Sequence, residues 1–573
     1  MLNSYFQQFA QLLSRQFKIS EDTILEQITL APDNIEGDLA FPTFKFSKQF
    51  WKNPAEFAKD IAEKMHQHQN QLFSSFIAVG PYINAIINQE FLAKSIITTI
   101  KEKKSDYGKG SDTGKQILLE GRQPNTHKAI HIGHIRNILV SESLSRIFKF
   151  AGNEVIKCAY PGDIGAHVAK WIRYYINFDK SEFPTQNFTK RIGEIYTAAT
   201  RKVDENPDLY KEQIHTLQKN LEDGDTELVK IWKETRELCL TDMKKIFSEL
   251  GSSDIDKRYF ESEVEQPGIN IVKELQQKGI AQISQGALAI NLEKHKLGRF
   301  LLLKSNGASL YSTKDIALAY KKREEYPNYD DSVYVVGSEQ IYHFEQLFKT
   351  LEIIGFDHSK LKHLAYGLVD LKDGKMSSRD GNVVLYEDFR DQLLDKAHEM
   401  MESRDISQEQ KKQTAHAVAF AAMKFGMLLQ DSEKKITFDE TQALSFEGET
   451  GPYLQYTYAR INSILKKSKE GIAFTEESIN YSLLSSDEEK KLLIHLAGFE
   501  NEIQKAAQQY KPNYVARFCL DLAQLFNSYY HNSKIIDESN LELSKARLAL
   551  IKTVQQGLEN WLNLLGIEVV EAM

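Results

Sequence analysis

Residues 116–135 read QILLEGRQPNTHKAIHIGHI, and this stretch decides the fold. Its first five residues form a short apolar segment that is typical of a buried β-strand. From Gly133 onward, apolar residues recur at helical spacing as far as Gly152, where a helix stop is favoured. The stretch therefore predicts a strand, a turn and a helix, which is the repeating unit of an α/β domain.

The tetrapeptide His131-Ile132-Gly133-His134 lies at the start of the predicted helix. Amide groups at a helix N-terminus lack intrahelical partners, carry partial positive charge and bind phosphate readily. Gly133 has no Cβ, so an adenine or a ribose can lie close to the backbone. The two histidines and Lys128 can donate to phosphate oxygens. We therefore expect a nucleotide to bind here.

A second polar segment, 373–381, reads DGKMSSRDG, and glycines near both ends predict a hinged loop. In nucleotidyl transfer a protein mainly positions groups and neutralises charge on phosphate oxygens, a role that suits Lys375 and Arg379. Taken alone, such a segment is more often a solvated turn. It is not a P-loop, because Val369 and Met376 stand where that motif requires a glycine and a hydroxyl residue.

Together the two segments resemble the signature motifs of class I aminoacyl-tRNA synthetases. Six segments resemble the arginyl-tRNA synthetase family in particular, and they occur in that family's order along nearly the whole chain. They read EGDLA (36–40), PNTHKAIHIGHIRN (124–137), PGDIG (161–165), YSTKDIA (311–317), VVGSEQIYHF (335–344) and GPYLQYTYAR (451–460).

Three positions depart from the family pattern. Ser378 replaces the second lysine of the downstream signature, and Ile164 replaces a tryptophan. Many members lack that lysine, and a lysine just upstream of the first signature is thought to substitute for it. Lys128 occupies that position. Arg122 stands where the family has small or hydroxyl residues, and an arginine is unexpected near an amino-acid pocket.

The resemblance implies an arginine–tRNA ligase that uses ATP to form arginyl-adenylate and transfers arginine to the 3′ terminal adenosine of tRNA(Arg). It implies that the catalytic residues are Lys128, His131, His134 and Lys375, and that ATP is bound by His131, Gly133, His134, Lys375, Met376 and Ser377. We expect Mg²⁺ to assist, because this ion binds nucleotide phosphates with few protein ligands.

The predicted amino-acid pocket follows from the chemistry of a guanidinium, which is a planar, permanently charged fork of donors that pairs with carboxylates. The resemblance implies that Asp315 and Glu120 bind the guanidinium, with Tyr311 beside them. Asn125 and Gln340 would hold the α-amino or carboxyl end. Taken singly, Asp315 is more often a helix-dipole partner, Tyr311 a core residue and Glu120 a surface charge.

The chain of 573 residues is too long for one core. We expect an α/β protein with a Rossmann-like parallel-sheet catalytic domain over 111–385, which contains a helical connective insertion at about 180–255. An α+β domain would precede it at 1–110, and an all-helical anticodon-binding domain would follow at 386–573. Strand signals occur at 27–30, 76–88, 154–159, 287–292, 300–304, 332–336 and 361–369.

Aromatic residues are concentrated in two helical segments of the last predicted domain. Splayed RNA bases are commonly bound by aromatic stacking and by arginine, although helical aromatics are more often core residues. The candidates for tRNA contact are Tyr453, Tyr456, Arg460 and Tyr529. We expect only two or three of them to touch RNA, with Tyr453 the more structural. The resemblance also implies that the first domain grips the outer corner of the tRNA.

Composition narrows the remaining possibilities. The net charge of −8 argues against a nonspecific nucleic-acid coat, but a local basic surface suffices for tRNA. Cys158, Cys239 and Cys519 lie far apart, so neither a disulfide framework nor a metal site is indicated. The N-terminus lacks a secretory signal pattern, and no apolar run has the length of a membrane span. We expect a cytoplasmic monomer without a membrane partner.

Three alternatives stay open at this point. A class I synthetase for another amino acid, of the lysyl or cysteinyl type, would share both signatures, although the cysteinyl type would be favoured by zinc ligands. A small nucleotidyltransferase with a His-x-Gly-His motif would not need the helical C-terminal half. A synthetase-like paralogue that binds RNA without catalysis is compatible with the departures at Arg122, Ile164 and Ser378.

Overall fold

The computed structural model describes residues 1–573 except 33, 50, 69, 183–187, 373–383, 405 and 472–478. The predicted site residues Lys375, Met376 and Ser377 lie outside the described residues.

The N-terminal region is an α+β unit built on a four-stranded sheet of order β1-β2-β4-β3. The run 76–88, predicted as one strand, is a hairpin, because Gly80 at φ +55° turns the chain between two strands. The elements of this region are α1 (Leu2–Phe17), α2 (Glu21–Leu25), β1 (Thr29–Leu30), β2 (Leu39–Pro42), α3 (Phe44–Gln49), α4 (Pro54–Met65), β3 (Phe73–Val79), β4 (Tyr82–Ile87) and α5 (Gln89–Lys103).

The central region carries a five-stranded parallel sheet of order β12-β11-β5-β6-β7. Its elements are β5 (Gln116–Glu120), α6 (Ile132–Phe150), β6 (Glu154–Ala159), α7 (Ala166–Phe178), α8 (Phe188–Glu205), α9 (Pro207–Glu222), α10 (Thr226–Glu249), β7 (Lys257–Arg258), α11 (Glu261–Gln277), β8 (Ala281–Ser284), β9 (Ala287–Asn291), β10 (Arg299–Leu303), α12 (Tyr311–Glu325), β11 (Asp331–Gly337), α13 (Ile341–Ile353), β12 (Leu361–Tyr366) and β13 (Val369–Leu371). Helices α7 to α10 include the predicted insertion.

Two of the predicted strands do not join the parallel sheet. β9 and β10 form a separate antiparallel sheet with β8, because the connections between these strands are too short for the crossover that parallel pairing needs. The turn from β8 to β9 consists of Gln285 and Gly286, both with positive φ. The strand signals at 287–292 and 300–304 therefore correspond to strands that lie outside the parallel sheet.

The C-terminal region is mostly helical, as predicted. Its exception is a short strand, Ile436–Phe438 (β14), which pairs in parallel with β13 and buries its two apolar ends. The helices are α14 (Tyr386–Glu402), α15 (Gln408–Leu428), α16 (Glu440–Ala443), α17 (Gly451–Gly471), α18 (Asp487–Ala497), α19 (Phe499–Gln509), α20 (Pro512–Asn532) and α21 (Leu541–Leu564). Within the described residues, no helix combines the length and the apolarity that a bilayer crossing requires.

Candidate active site

The turn between β5 and α6 is fixed by buried polar contacts. Arg122, at φ +58°, donates its amide to Oδ1 of Asn137, and Nδ2 of Asn137 donates to the carbonyl of Val335. Both bonds are 2.7 Å long, and they hold α6 against the ends of β5 and β11. The guanidinium of Arg122 lies 3.4 Å from the carboxylate of Glu142. This unexpected arginine is therefore neutralised beneath α6 by Glu142.

Two stacked imidazoles begin α6. His131 is its N-cap, and the ring centroids of His131 and His134 are 3.7 Å apart. Nδ1 of His131 accepts from the amide of Gly133, and Nδ1 of His134 accepts from the amide of His131. A neutral ring that accepts at Nδ1 carries its proton on Nε2. Both histidines are therefore assigned as Nε2–H donors.

The same contacts correct one sequence expectation. The first amides of α6 do not stand free for phosphate. Ile132 donates to the carbonyl of Val384, Gly133 to the His131 ring, and His134 to the carbonyl of His131. Phosphate oxygens at this helix would therefore be held by side chains, while the backbone contributes its dipole.

Both imidazoles are held neutral by their surroundings. Burial, and after it the charge of Lys128, lowers the pKa of His131 to about 4. The pKa of His134 is also held well below its ordinary value, chiefly by burial and then by His131 and Lys128. The site can therefore donate hydrogen bonds from neutral rings at pH 7, and its positive charge comes from lysine.

The residues that follow the predicted loop contact the start of α6. Besides Ile132, which donates to Val384, the amide of Tyr386 donates to the carbonyl of Ile130 at 3.0 Å. His131 and Leu385 form an antiparallel bridge. Residues 384–386 therefore lie directly beside the two histidines.

Three carboxylates near the ends of β5 and β6 form what we call the acidic pocket, together with the basic side chains that pair with them. Each predicted or newly found acid has its own partner. The pairs are Glu120 with Lys322, Glu261 with Lys314, and Asp315 with His343.

A tyrosine hydroxyl without a hydrogen bond lies among these acids. The hydroxyl of Tyr160 is buried and has no partner among the described residues. Its pKa is raised well above the ordinary value by burial, and then by the charges of Asp315, Glu261 and Glu120. The hydroxyl therefore remains protonated at neutral pH, and all three carboxylates act on it.

The other predicted arginine contacts lie around this pocket with different exposure. Oδ1 of Asn125 accepts from the amide of Gly162, where a Cβ would come within 2.8 Å of that oxygen. Tyr311 is 62% exposed at the first position of α12. Gln340 is exposed in the turn that follows β11, the neighbour of β5 in the sheet.

Sequence reasoning missed four members of the acidic pocket and the tyrosine hydroxyl. They are Tyr160, Glu261, Lys314, Lys322 and His343. Lys314 and His343 fall inside family-like segments, so their position was a usable signal. Lys322 follows Asp315 by seven residues, a spacing that places both on one side of α12.

A second polar cluster lies between α17 and α20. Arg460 packs its guanidinium 4.7 Å from the ring centre of Tyr456 and 5.1 Å from that of Tyr530, and it donates to Asn527. Tyr453 accepts from the same asparagine. Tyr530 is partly exposed. These residues could stack an RNA base against a cation.

The prediction that Tyr529 contacts tRNA was wrong. This side chain is fully buried, and its hydroxyl lies 3.1 Å from Oε1 of Glu489 in the helical core. A ring in that position cannot stack on a base while α20 stays packed.

Three family models match the chain in sequence order. The N-terminal domain of arginyl-tRNA synthetase matches residues 3–87, and the catalytic domain of class I (R) tRNA synthetases matches residues 96–439. The DALR anticodon-binding domain matches residues 454–573.

Relatives that align over nearly the whole chain are also described as arginine–tRNA ligases. The arginine–tRNA ligase of Clostridium perfringens is 34% identical over 569 residues, covering 97% of this chain and 99% of its own. That of Bdellovibrio bacteriovorus is 34% identical over 566 residues, covering 97% and 96%.

Solved structures share the fold. The arginyl-tRNA synthetase of Thermus thermophilus aligns with a TM-score of 0.78 at 24% identity, covering 95% of this chain and 96% of its own. That of Plasmodium falciparum aligns with a TM-score of 0.75 at 21% identity, covering 100% and 99%.

Proposed function

This chain belongs to the arginyl-tRNA synthetase family, and we propose how its own residues carry out the arginine–tRNA ligase reaction. Arginine is first joined to AMP from ATP and is then transferred to the 3′ terminal adenosine of tRNA(Arg). The observation that supports this proposal most directly is the charge of the acidic pocket. Its three carboxylates are paired with only two lysines, and the third acid, Asp315, is paired with a histidine, so the pocket can take the charge of one guanidinium.

Arginine binding uses this remaining charge. Asp315 and Glu120 accept from the guanidinium, and Tyr311 packs beside it. The Tyr160 hydroxyl gives the pocket one further polar group, and its lack of a partner among the described residues supports a role toward substrate. Asn125 and Gln340 hold the α-amino or carboxyl end. Because the guanidinium requires two planar acceptors, the pocket favours arginine over lysine.

In the first step the arginine carboxylate attacks the α-phosphorus of ATP, and the bond to pyrophosphate breaks. Nε2–H of His131 and of His134 donates to phosphate oxygens as charge develops there. Lys128 supplies a fixed positive charge, and Gly133, which has no Cβ, lets the nucleotide lie close to the backbone of α6. By resemblance, Lys375 neutralises the leaving pyrophosphate, with Met376 and Ser377 beside the nucleotide.

Mg²⁺ fits this site as an ion that arrives with the nucleotide. Among the described residues no group of three histidine, cysteine or acidic side chains could hold a metal. Phosphate oxygens would therefore supply most of its ligands, and the ion would offset their charge.

In the second step a ribose hydroxyl of the terminal adenosine attacks the arginyl carbonyl, and AMP leaves. The N-terminal region would contact the outer corner of the tRNA, and the cluster of Tyr453, Tyr456 and Arg460 would contact the anticodon loop. We further propose domains at 1–110, 111–385 and 386–573, a cytoplasmic location and a monomeric state.

The deciding experiment is tRNA charging with each of the twenty radiolabelled amino acids, using total tRNA, ATP and Mg²⁺. Charging with arginine alone is expected. Charging with another amino acid would overturn the pocket assignment, and tRNA binding without any charging would indicate a non-catalytic paralogue.

A further inference from the structure

Two lysines and a histidine gather around one tyrosine ring beside α6. The ammonium group of Lys170 lies 3.7 Å from the ring centre of Tyr196, and that of Lys128 lies 5.7 Å from the same point. His167 stands one helical turn before Lys170 in the first turn of α7. We call Lys128, His167, Lys170 and Tyr196 the basic cluster.

Close packing fixes the geometry of this cluster. Gly193 of α8 lies against Ala129, and a Cβ on this glycine would come within 2.4 Å of the Ala129 Cβ. This close approach brings Tyr196, one turn further along α8, next to Lys128. Lys170 is held from the same helix, because it donates to Thr200 at 2.6 Å.

Neither ammonium group of the cluster has a close ion pair within the described part of the chain, although Glu261 acts on Lys128 from a greater distance. No carboxylate of the described residues lies within 4 Å of the ammonium groups of Lys128 or Lys170. Burial, and then the charge of Lys128, lowers the pKa of Lys170 to about 8, while the more distant Asp204 acts in the opposite direction. Two half-buried like charges without a close counter-ion repel each other, and a bound anion would remove that cost.

An unsatisfied imidazole nitrogen provides a second, independent sign. Nε2 of His167 is buried and has no hydrogen-bond partner among the described residues. Burial, then Lys128, a hydrogen bond with the backbone of Gly162, Lys314 and Lys170 act on the pKa of this ring, and Nε2 is the nitrogen left without a partner. The ring also lies at the N-terminus of α7, where the helix dipole favours negative charge.

We propose that Lys128, His167 and Lys170 form a binding site for a phosphate group, with Tyr196 as its floor. The proposal rests on the proposed function and adds His167, Lys170 and Tyr196 to the active site. Because Lys128 also acts on His131, the site adjoins the place where the phosphates of ATP are handled.

A phosphate group from either of two sources could occupy this site. The first is the pyrophosphate that leaves ATP, and the second is the last phosphodiester of the tRNA 3′ end. Both present non-bridging oxygens that accept from ammonium groups. The test therefore has one arm for each source.

In the first arm, calorimetry measures the affinity of the full-length protein for inorganic pyrophosphate, in wild type and in Lys170→Gln. We expect about a tenfold loss of affinity, the size of one charge-assisted hydrogen bond. In the second arm, the affinity for an arginine-accepting tRNA ending in CCA is compared with that for the same tRNA ending in CC. If the site binds the terminal phosphodiester, Lys170→Gln removes the difference between the two tRNAs.

Three variants separate binding from folding. Lys170→Arg keeps the charge and is expected to retain most of the affinity in the arm that responds. His167→Ala should weaken the same arm. Lys219→Gln, on the exposed face of α9, is the matched control and should change neither arm. Wild-type affinity of Lys170→Gln in both arms overturns the proposal.

Neither binding measurement requires turnover. A protein that charges no arginine but loses pyrophosphate affinity in Lys170→Gln would refute the proposed function and keep the phosphate site. Arginine charging with unchanged binding in both arms would support the proposed function and refute the phosphate site.

Discussion

In the acidic pocket each carboxylate has a lysine or a histidine of the protein as its partner, whereas in the basic cluster neither ammonium group has a carboxylate of the described residues within 4 Å. The two regions are neighbours, since Lys128 of the cluster is influenced by Glu261 of the pocket. The protein thus supplies most of the countercharge for one region and leaves that of the other to a ligand.

This difference suits the two kinds of substrate, one cationic and the other anionic. Arginine brings only one positive charge. In a pocket with three unpaired acids, the carboxylates would repel one another whenever arginine is absent. ATP and tRNA bring several negative charges, so unmatched lysines can be tolerated and become paired on binding.

The largest effect is expected from Asp315→Ala. Removing this acid takes away one of the three carboxylates of the pocket and leaves His343 without its partner. We expect kcat/KM for arginine to fall about a thousandfold, the cost of losing a close charge pair worth about 4 kcal/mol. The measurement is steady-state tRNA charging at varied arginine.

Two further variants define this result. Asp315→Asn keeps the shape and should lose nearly as much, which separates charge from packing. Glu324→Ala, on the exposed side of the same helix, should leave kcat/KM unchanged. A loss below tenfold in Asp315→Ala would show that the pocket does not depend on its net charge.

The next effect concerns stability. Lys322→Met leaves Glu120 buried without its cation, and breaking a buried pair costs about 3 kcal/mol or more. We expect a clearly lower unfolding temperature by calorimetry. The double variant Glu120→Gln with Lys322→Met should regain much of that loss but not arginine binding. An unchanged unfolding temperature in Lys322→Met would contradict the need for charge matching.

Sequence reasoning reached the local features of the active site. The β5–turn–α6 unit and the position of His131 and His134 follow from spacing within some twenty residues, so the sequence carries them directly. Glu120 and Lys322 are 202 residues apart, and no periodicity connects them. The sequence predicted free amides at the start of α6. One of them, that of Ile132, donates to the carbonyl of Val384, which lies in a distant segment, so local sequence could not reveal this contact.

The sequence also did not show which face of a helix is buried. Tyr529 and Tyr530 are adjacent, yet the first is fully buried and the second is partly exposed beside Arg460. Phe526 precedes Tyr529 by three residues and Tyr530 by four, so helical spacing alone could not tell which ring faces the core. Antiparallel pairing of β9 with β10 was missed for a related reason, because strand signals predict extended chain but not the sheet it joins.

A smaller effect is expected when a neutral donor is removed. His131→Ala deletes the Nε2–H that would reach a phosphate oxygen, and one such donor contributes about a hundredfold to kcat. His131→Asn provides the matched variant, because asparagine caps a helix as well as any residue but does not extend as far. Both variants should lose kcat alike, with the KM for arginine little changed. Recovery of kcat in His131→Asn would mean that His131 acts only as a helix cap.

The smallest effect tests how strongly the unmatched lysines act on their surroundings. Lys128 is the second cause of the low pKa of His131, after burial. Lys128→Met removes a repelling charge, so the pKa of His131 should rise from about 4. Because burial is the larger cause, the value should stay below the ordinary value of about 6.5. Nuclear magnetic resonance of ¹³C-labelled histidine, titrated with pH, measures this shift.

A value at or above 6.5 would show that Lys128 rather than burial keeps the ring neutral. The basic cluster would then control the protonation of His131, and binding of a phosphate group to the cluster should itself raise that pKa.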